Sequence, residues 1–170
     1  MPEILTNRER RRLLAVWILT VIGALFWIGA IAAAPWLRAR GSPLADLLYL
    51  VFEPTCHQIN SRCFIVWGYP LAVCTRCLGI DFGFLASALL YPAIRGFRRP
   101  IVPRTKLFLA VSAPIVVDTL GNLLGFWSTS DWTRFALGAA WGLFLPWYFI
   151  TGVWELFSCI GGKKTHRIDP

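Results

Sequence analysis

Charge is what this chain lacks most. Asp, Glu, Lys and Arg together make up 15% of its 170 residues, against roughly 25% in soluble domains. With 56% hydrophobic residues, 9 Trp and 12 Phe, that deficit excludes an ordinary water-solvated domain and points to lipid as the solvent. Acidic residues are scarce as well, 9 against 17 basic, which leaves a net charge of +8. In a soluble protein such an excess would suggest nucleic acid. Here no basic face or aromatic-basic module accompanies it, so nucleic acid is set aside as a partner. The basic residues fall instead in short clusters between apolar runs, the pattern that orients a chain across a bilayer and touches anionic headgroups. Histidine is nearly absent, with only two residues in the chain, and His57 is the one that lies outside the C-terminal tail.

The apolar runs predict four spans. The first carries no charge from Leu13 to Leu37, longer than the roughly 20 residues that cross a hydrocarbon core. It is also too long for the apolar region of a cleavable signal peptide, about 7–15 residues. The second span must begin near Cys74 to reach full length before Arg95, which sets Cys74-Thr75-Arg76-Cys77 on the first turn of a helix at the membrane surface. The third contains Pro114, Asp118 and Asn122, and the fourth is broken only by Pro146. The expected spans are 13–36, 74–94, 107–127 and 133–155, with an outer loop at 38–73.

Orientation follows from the basic residues. Arg8, Arg10, Arg11 and Arg12 precede span one. Arg95, Arg98, Arg99, Arg104 and Lys106 separate spans two and three, and Lys163, Lys164 and Arg167 close the chain. Only Arg38, Arg40, Arg62, Arg76 and Arg134 fall on the other side. The positive-inside rule therefore places both termini in the cytoplasm of a cell-membrane protein. Trp36, Trp127 and Trp132 then mark the outer interface, with Trp17 and Trp154 near the inner one. The expected architecture is an all-α, four-helix membrane bundle forming one domain. Small residues at four-residue spacing (Gly79, Gly83 and Ser87; Gly121 and Gly125; Gly138 and Gly142) allow close helix packing within it, or homodimerisation.

The outer loop carries the chemistry. Ser42-Pro43 reads as a helix start, and Leu44 to Phe52 as a short interfacial helix. Phe64 to Trp67 and Leu71 to Val73, around Gly68-Tyr69-Pro70, suggest a hairpin that delivers the chain to Cys74. Four of the five cysteines, Cys56, Cys63, Cys74 and Cys77, fall in this segment beside His57. A Cys-x-x-Cys pair at a helix N-terminus gains thiolate character from the helix dipole, and adjacent Arg76 adds to it. Thiolate serves three uses that this spacing leaves open. One is a tetrahedral zinc or copper site with Cys56, His57, Cys74 and Cys77, where Cys63 and Asp81 are further candidates. The second is a thiol-disulfide oxidoreductase with a quinone and a soluble redox partner. The third is a pair of structural disulfides. Against the second, the connection from Ser128 to Trp132 lacks the cysteine pair that disulfide oxidases of this size often carry there. Cys159, near the cytoplasmic end, reads as a free packing residue.

Polar residues inside the spans converge on the same level. Asp118 lies 12 positions past Lys106, or about 18 Å up the helix. A carboxylate there requires a partner, and Arg134 is the first choice with Arg76 second. Asp118 and Arg134 are thus candidates for a catalytic or clamping role. Arg76 and Asn122 are candidates for contacts to a bound group.

These residues resemble a known family. Cys56-His57-Gln58, Arg62, Phe64 and Gly68, followed by Val73-Cys74-x-Arg76-Cys77-x-Gly79-Ile80, are similar to the signature of the small prokaryotic membrane-protein family called domain of unknown function two-zero-eight-five. Pro114, Asp118, Gly125, Ser130, Arg134 and Gly138 continue the resemblance, which runs from about Leu44 to Gly142. It implies the architecture and the site but supplies no reaction. Members often carry Ser in place of Cys63 and Tyr in place of Asp81. The core set it implies is Cys56, His57, Cys74 and Cys77, four N/S donors that suit zinc or copper(I).

Overall fold

The structure is a computed structural model and describes residues 5–96 and 104–160. Six helices and one hairpin account for most of these residues: α1 (Asn7–Ala39), α2 (Leu44–Phe52), β1 (Ile65–Val66), β2 (Tyr69–Pro70), α3 (Thr75–Arg95), α4 (Thr105–Leu123), α5 (Asp131–Gly142) and α6 (Leu145–Ile160). Arg98, Arg99, Lys163, Lys164, Arg167 and the side chain of Cys159 lie outside the described residues. Four helical stretches are long and apolar enough to cross a membrane: Asn7–Ala39, Thr75–Ile94, Thr105–Leu123 and Asp131–Phe157. Large apolar side chains on their outer faces are bare. Phe26 is 78% exposed and Leu123 77%, exposure that water would penalise and lipid would not.

Helix α1 begins on a capping box, in which Thr6 and Glu9 satisfy each other's backbone N–H groups. Its 33 residues span about 50 Å, more than the roughly 30 Å hydrocarbon core, so at least one end projects. Pro35 lies within the helix without ending it. After Ala39 the chain reverses, and α2 folds back along α1. An Arg38–Asp46 ion pair of 2.8 Å and an edge-on contact of Phe52 with Trp27 at 4.8 Å hold the two together. Ser42 contributes its carbonyl to the start of α2, accepting from the Ala45 N–H, while Pro43 already has helical dihedrals.

The hairpin forms where expected, but its turn lies earlier than Gly68-Tyr69-Pro70. Ile65 pairs with Pro70 and Val66 with Tyr69, leaving Trp67 and Gly68 as the two turn residues. Both have positive φ, 52° and 81°, as a type I′ turn requires. Glycine takes that conformation freely, whereas Trp67 is held in it by the ladder on either side.

Two further boundaries differ from expectation. Helix α4 stops at Leu123 rather than running to Trp127. Gly125 adopts φ 77°, and the Phe126 N–H returns to the Gly121 carbonyl at 2.9 Å, which makes a Schellman stop. The fourth span is two helices. Pro146 has no N–H to offer the Gly142 carbonyl and its ring crowds that group. The helix therefore breaks at 143–144 before resuming as α6.

Helices α3 and α5 form the central contact. A Cβ added to Gly79 would lie 2.1 Å from the Phe135 carbonyl oxygen, and one on Gly83 2.2 Å from that of Ala139. Reciprocally, Gly138 faces the Arg76 carbonyl and Gly142 that of Ile80, both at 2.2 Å from the same imagined atom. The glycine stripes of α3 and α5 thus serve backbone-to-backbone packing within the bundle, whereas the Gly121 and Gly125 pair does not: Gly121 lies against the Trp127 ring and Gly125 faces open space beyond the end of α4. One apolar core, with Leu13, Val16, Tyr91, Ile150 and Trp154, joins α1, α3 and α6. The other, around Ile31, Ala34, Phe52, Val73 and Leu78, surrounds the cysteines. Helix α4 buries only Asp118 and Gly121, so its polar contacts tie it to the bundle together with Phe108, whose ring meets those of Trp141 and Tyr148.

Candidate metal centre

Three of the four loop cysteines come together. The sulfurs of Cys56, Cys74 and Cys77 all lie within 4.8 Å of one another, and those of Cys74 and Cys77 are 3.4 Å apart. Cys74 is the N-cap of α3, with an extended backbone, so Cys77 falls at the end of the first turn and the two thiols face the same way. Cys56 arrives from the end of α2. Its N–H bonds to the Phe52 carbonyl at 3.0 Å, and its side chain is 5% exposed. The sulfur of Cys56 accepts the Cys74 backbone N–H at 3.1 Å. The Gln58 N–H and the thiols of Cys74 and Cys77 also hydrogen-bond to it.

That set of donors stabilises a negative sulfur. The bonds from the Cys74 and Cys77 thiols outweigh burial and hold Cys56 down at about 2, so it is a thiolate at neutral pH. The Cys74 thiol shifts upward, first because it donates to Cys56. Gln58 owes its position to a positive φ of 48° and to a 2.6 Å bond from its amide to the Tyr49 carbonyl. Tyr49 in turn donates to the Pro70 carbonyl at 2.5 Å, tying α2 to the hairpin.

The other proposed ligands stand apart. His57 is exposed and contributes no atom to the sulfur group. Cys63 is buried, but its thiol donates to the Ile59 carbonyl at 3.3 Å. Burial first, and the electrostatics of the neighbouring cysteine group, push it up to about 12, so it stays a neutral thiol. Asp81, one turn below Cys77, is hydrogen-bonded by the Trp27 indole and is likewise outside the group. All four described cysteines are free thiols.

Beneath the sulfurs lies a buried polar network, wired differently from the sequence expectation. Asp118 pairs with Arg76, not Arg134. It also accepts from the Thr129 hydroxyl at 2.5 Å and from the Asn122 amide at 3.1 Å. Arg134 donates to the Asn122 side-chain oxygen at 3.0 Å and lies 3.6 Å from Asp131, which accepts from buried Thr75 at 3.4 Å. Two arginines and two aspartates therefore neutralise one another among three helices. Sequence spacing gave the depth of Asp118 but not its direction. Thr75, Thr129 and Asp131 were missed, although Asp131 stands at i−3 from Arg134, a spacing that signals an ion pair.

The donor set fits a soft metal. A tetrahedral zinc with Zn–S bonds near ~2.3 Å separates its sulfurs by roughly 3.8 Å, close to what these three thiols present. Thiolate-only coordination selects zinc or copper(I) over hard cations.

Comparison with known proteins agrees with the sequence signature. The family described as predicted membrane protein DUF2085 matches residues 56–148, a stretch that contains all three clustered cysteines and the whole polar network. The chain belongs to this family. The uncharacterized protein MJ1492 of Methanocaldococcus jannaschii is 27% identical over 146 residues, covering 82% of this chain and 94% of that protein. No solved structure matches the chain significantly. As a DUF2085 member with four membrane-length helices, it is a multi-pass membrane protein.

Proposed function

We propose that this protein binds one transition-metal ion, zinc or copper(I), through Cys56, Cys74 and Cys77 at the extracytoplasmic side of the cell membrane. The observation that carries the reading is the convergence of three sulfurs within 4.8 Å, one of them stabilised as thiolate by the Cys74 and Cys77 thiols and, after them, by backbone N–H groups. Structural staples would sequester thiols in pairs. Three mutually adjacent sulfurs, with Cys63 held elsewhere, support a shared ion over two separate pairs. The orientation rests on the basic residues at the start of α1 and beside α4, which also suit anionic headgroups on the cytoplasmic side. The Arg76–Asp118 network acts as a clamp that holds the Cys-x-x-Cys turn against α4 and α5.

Elemental analysis of protein purified in mild detergent without chelator or added metal tests the reading. About one zinc or copper per chain is expected, lost in Cys56→Ser, Cys74→Ser and Cys77→Ser but retained in Cys63→Ser and His57→Ala. Protein free of metal would overturn it.

A second reading draws on the 3.4 Å approach of the Cys74 and Cys77 sulfurs, a separation from which a disulfide can close. In it the pair exchanges electrons with a quinone and a soluble thiol partner. Metal-free protein whose Cys74–Cys77 disulfide has a potential well above about −300 mV would favour this reading over inert staples.

A further inference from the structure

A second site lies deeper, away from the sulfurs. A cavity of about 470 Å³ opens between α1, α3 and α6, within the size range of small-molecule sites, about 300–1,000 Å³. Along α1 it runs from Val16 to Ile28, about 18 Å of helix, at the level of the membrane-spanning segments. Its walls include Trp27, Phe84, Phe149 and Phe157, and its one ionisable residue is Asp81.

Asp81 is the anomaly. A carboxylate inside a span is costly unless paired, yet among the described residues no cation pairs with it. Arg76, the nearest basic residue along α3, is committed to Asp118. The polar inventory then decides what the cavity accepts. The Trp27 indole N–H is spent on Asp81, and the Thr20 hydroxyl is spent on the Val16 carbonyl at 2.8 Å. The other lining side chains are apolar. The cavity therefore presents an acceptor and a negative charge but no free donor. A quinone carbonyl or a phosphate headgroup would find nothing to bond there, and the phosphate would be repelled. A positively charged group would gain both the carboxylate and the faces of aromatic rings.

We propose that this cavity binds a lipophilic cation, an amine or onium ion on an apolar, ring-bearing body, with Asp81 as its counter-ion. The site shares no residue with the metal centre: Asp81 lies outside the sulfur group and the cavity contains none of the cysteines.

Equilibrium dialysis of radiolabelled tetraphenylphosphonium against the detergent-solubilised full chain tests this. Saturable binding near one per chain is expected, weakened at least tenfold in Asp81→Asn and retained within about threefold in Asp81→Glu, which also shows that the cavity still folds. The isosteric anion tetraphenylborate should not displace the probe. Equal binding by Asp81→Asn, displacement by the anion, or a failure to bind the cation while a short-chain quinone binds would each overturn the proposal.

Discussion

Replacing Gly138 by Ala tests the link between helix packing and the metal centre. The added Cβ would sit 2.2 Å from the Arg76 carbonyl oxygen and 3.2 Å from the Ile80 nitrogen. Favourable non-bonded contact begins near about 3.5 Å, so α3 and α5 must part by roughly 1 Å. Both obstructing atoms are backbone, and no side-chain rotation can relieve them. Overpacking of this kind costs about 1–3 kcal/mol, partly offset by the roughly 1 kcal/mol that Ala gains over Gly in a helix. A net loss of up to about 2 kcal/mol is expected. Gly29→Ala is the control: nothing lies within 4 Å of its imagined Cβ, so only the propensity gain should remain. Unfolding in mixed micelles with increasing SDS measures both. The obstructing carbonyl belongs to Arg76, inside Cys74-Thr75-Arg76-Cys77, so displacement should also move two sulfurs relative to Cys56. Metal affinity in Gly138→Ala should fall severalfold while Gly29→Ala is unchanged. Equal stability and equal affinity in the two variants would refute both the backbone contact and its coupling to the site.

Breaking the buried ion pair should be costly. Asp118→Asn leaves Arg76, 19% exposed, without its counter-charge, and a loss of about 3–5 kcal/mol is expected. Arg76→Met combined with Asp118→Leu should recover part of it, and a double variant no better than the single one would contradict the pairing. Proton release reports the state of the sulfurs. Cys56 is held at about 2, below its ordinary value near 9, so it has no proton to lose at pH 7. Metal binding there should release about two protons, from Cys74 and Cys77, rather than three. Calorimetry in buffers of different ionisation enthalpy counts them. The sign for stability follows from the same lowering: the Cys56 thiolate contributes fully above about pH 9 and progressively less as pH falls toward 2.

Hydrophobic length and spacing carried most of the architecture, because lipid demands long apolar helices whatever their neighbours. The four spans, the short helix α2, the hairpin and the glycine stripes of α3 and α5 are legible in that way. What escaped was direction around an axis. Asp118 is at the right depth to meet either arginine, but the glycine contact turns Arg76 of α3 toward α4 and leaves Arg134 to Asn122 and Asp131. The same gap explains His57. Adjacency to Cys56 in the chain suggested a shared site, yet consecutive residues in a turn point apart. The backbone that aims the Cys56 sulfur at the Cys74 N–H leaves the imidazole exposed. Helix ends escaped for a local reason: hydropathy does not register that Gly125 permits a left-handed stop, nor that Pro146 withholds one N–H. Asp81 shows the limit most sharply. Its position one turn after Cys77 suggested a ligand, but the identity of its neighbour on α1, Trp27, is set by how α1 docks on α3. Only that docking turns a carboxylate of the sulfur face into the single charge of a lipid-level cavity.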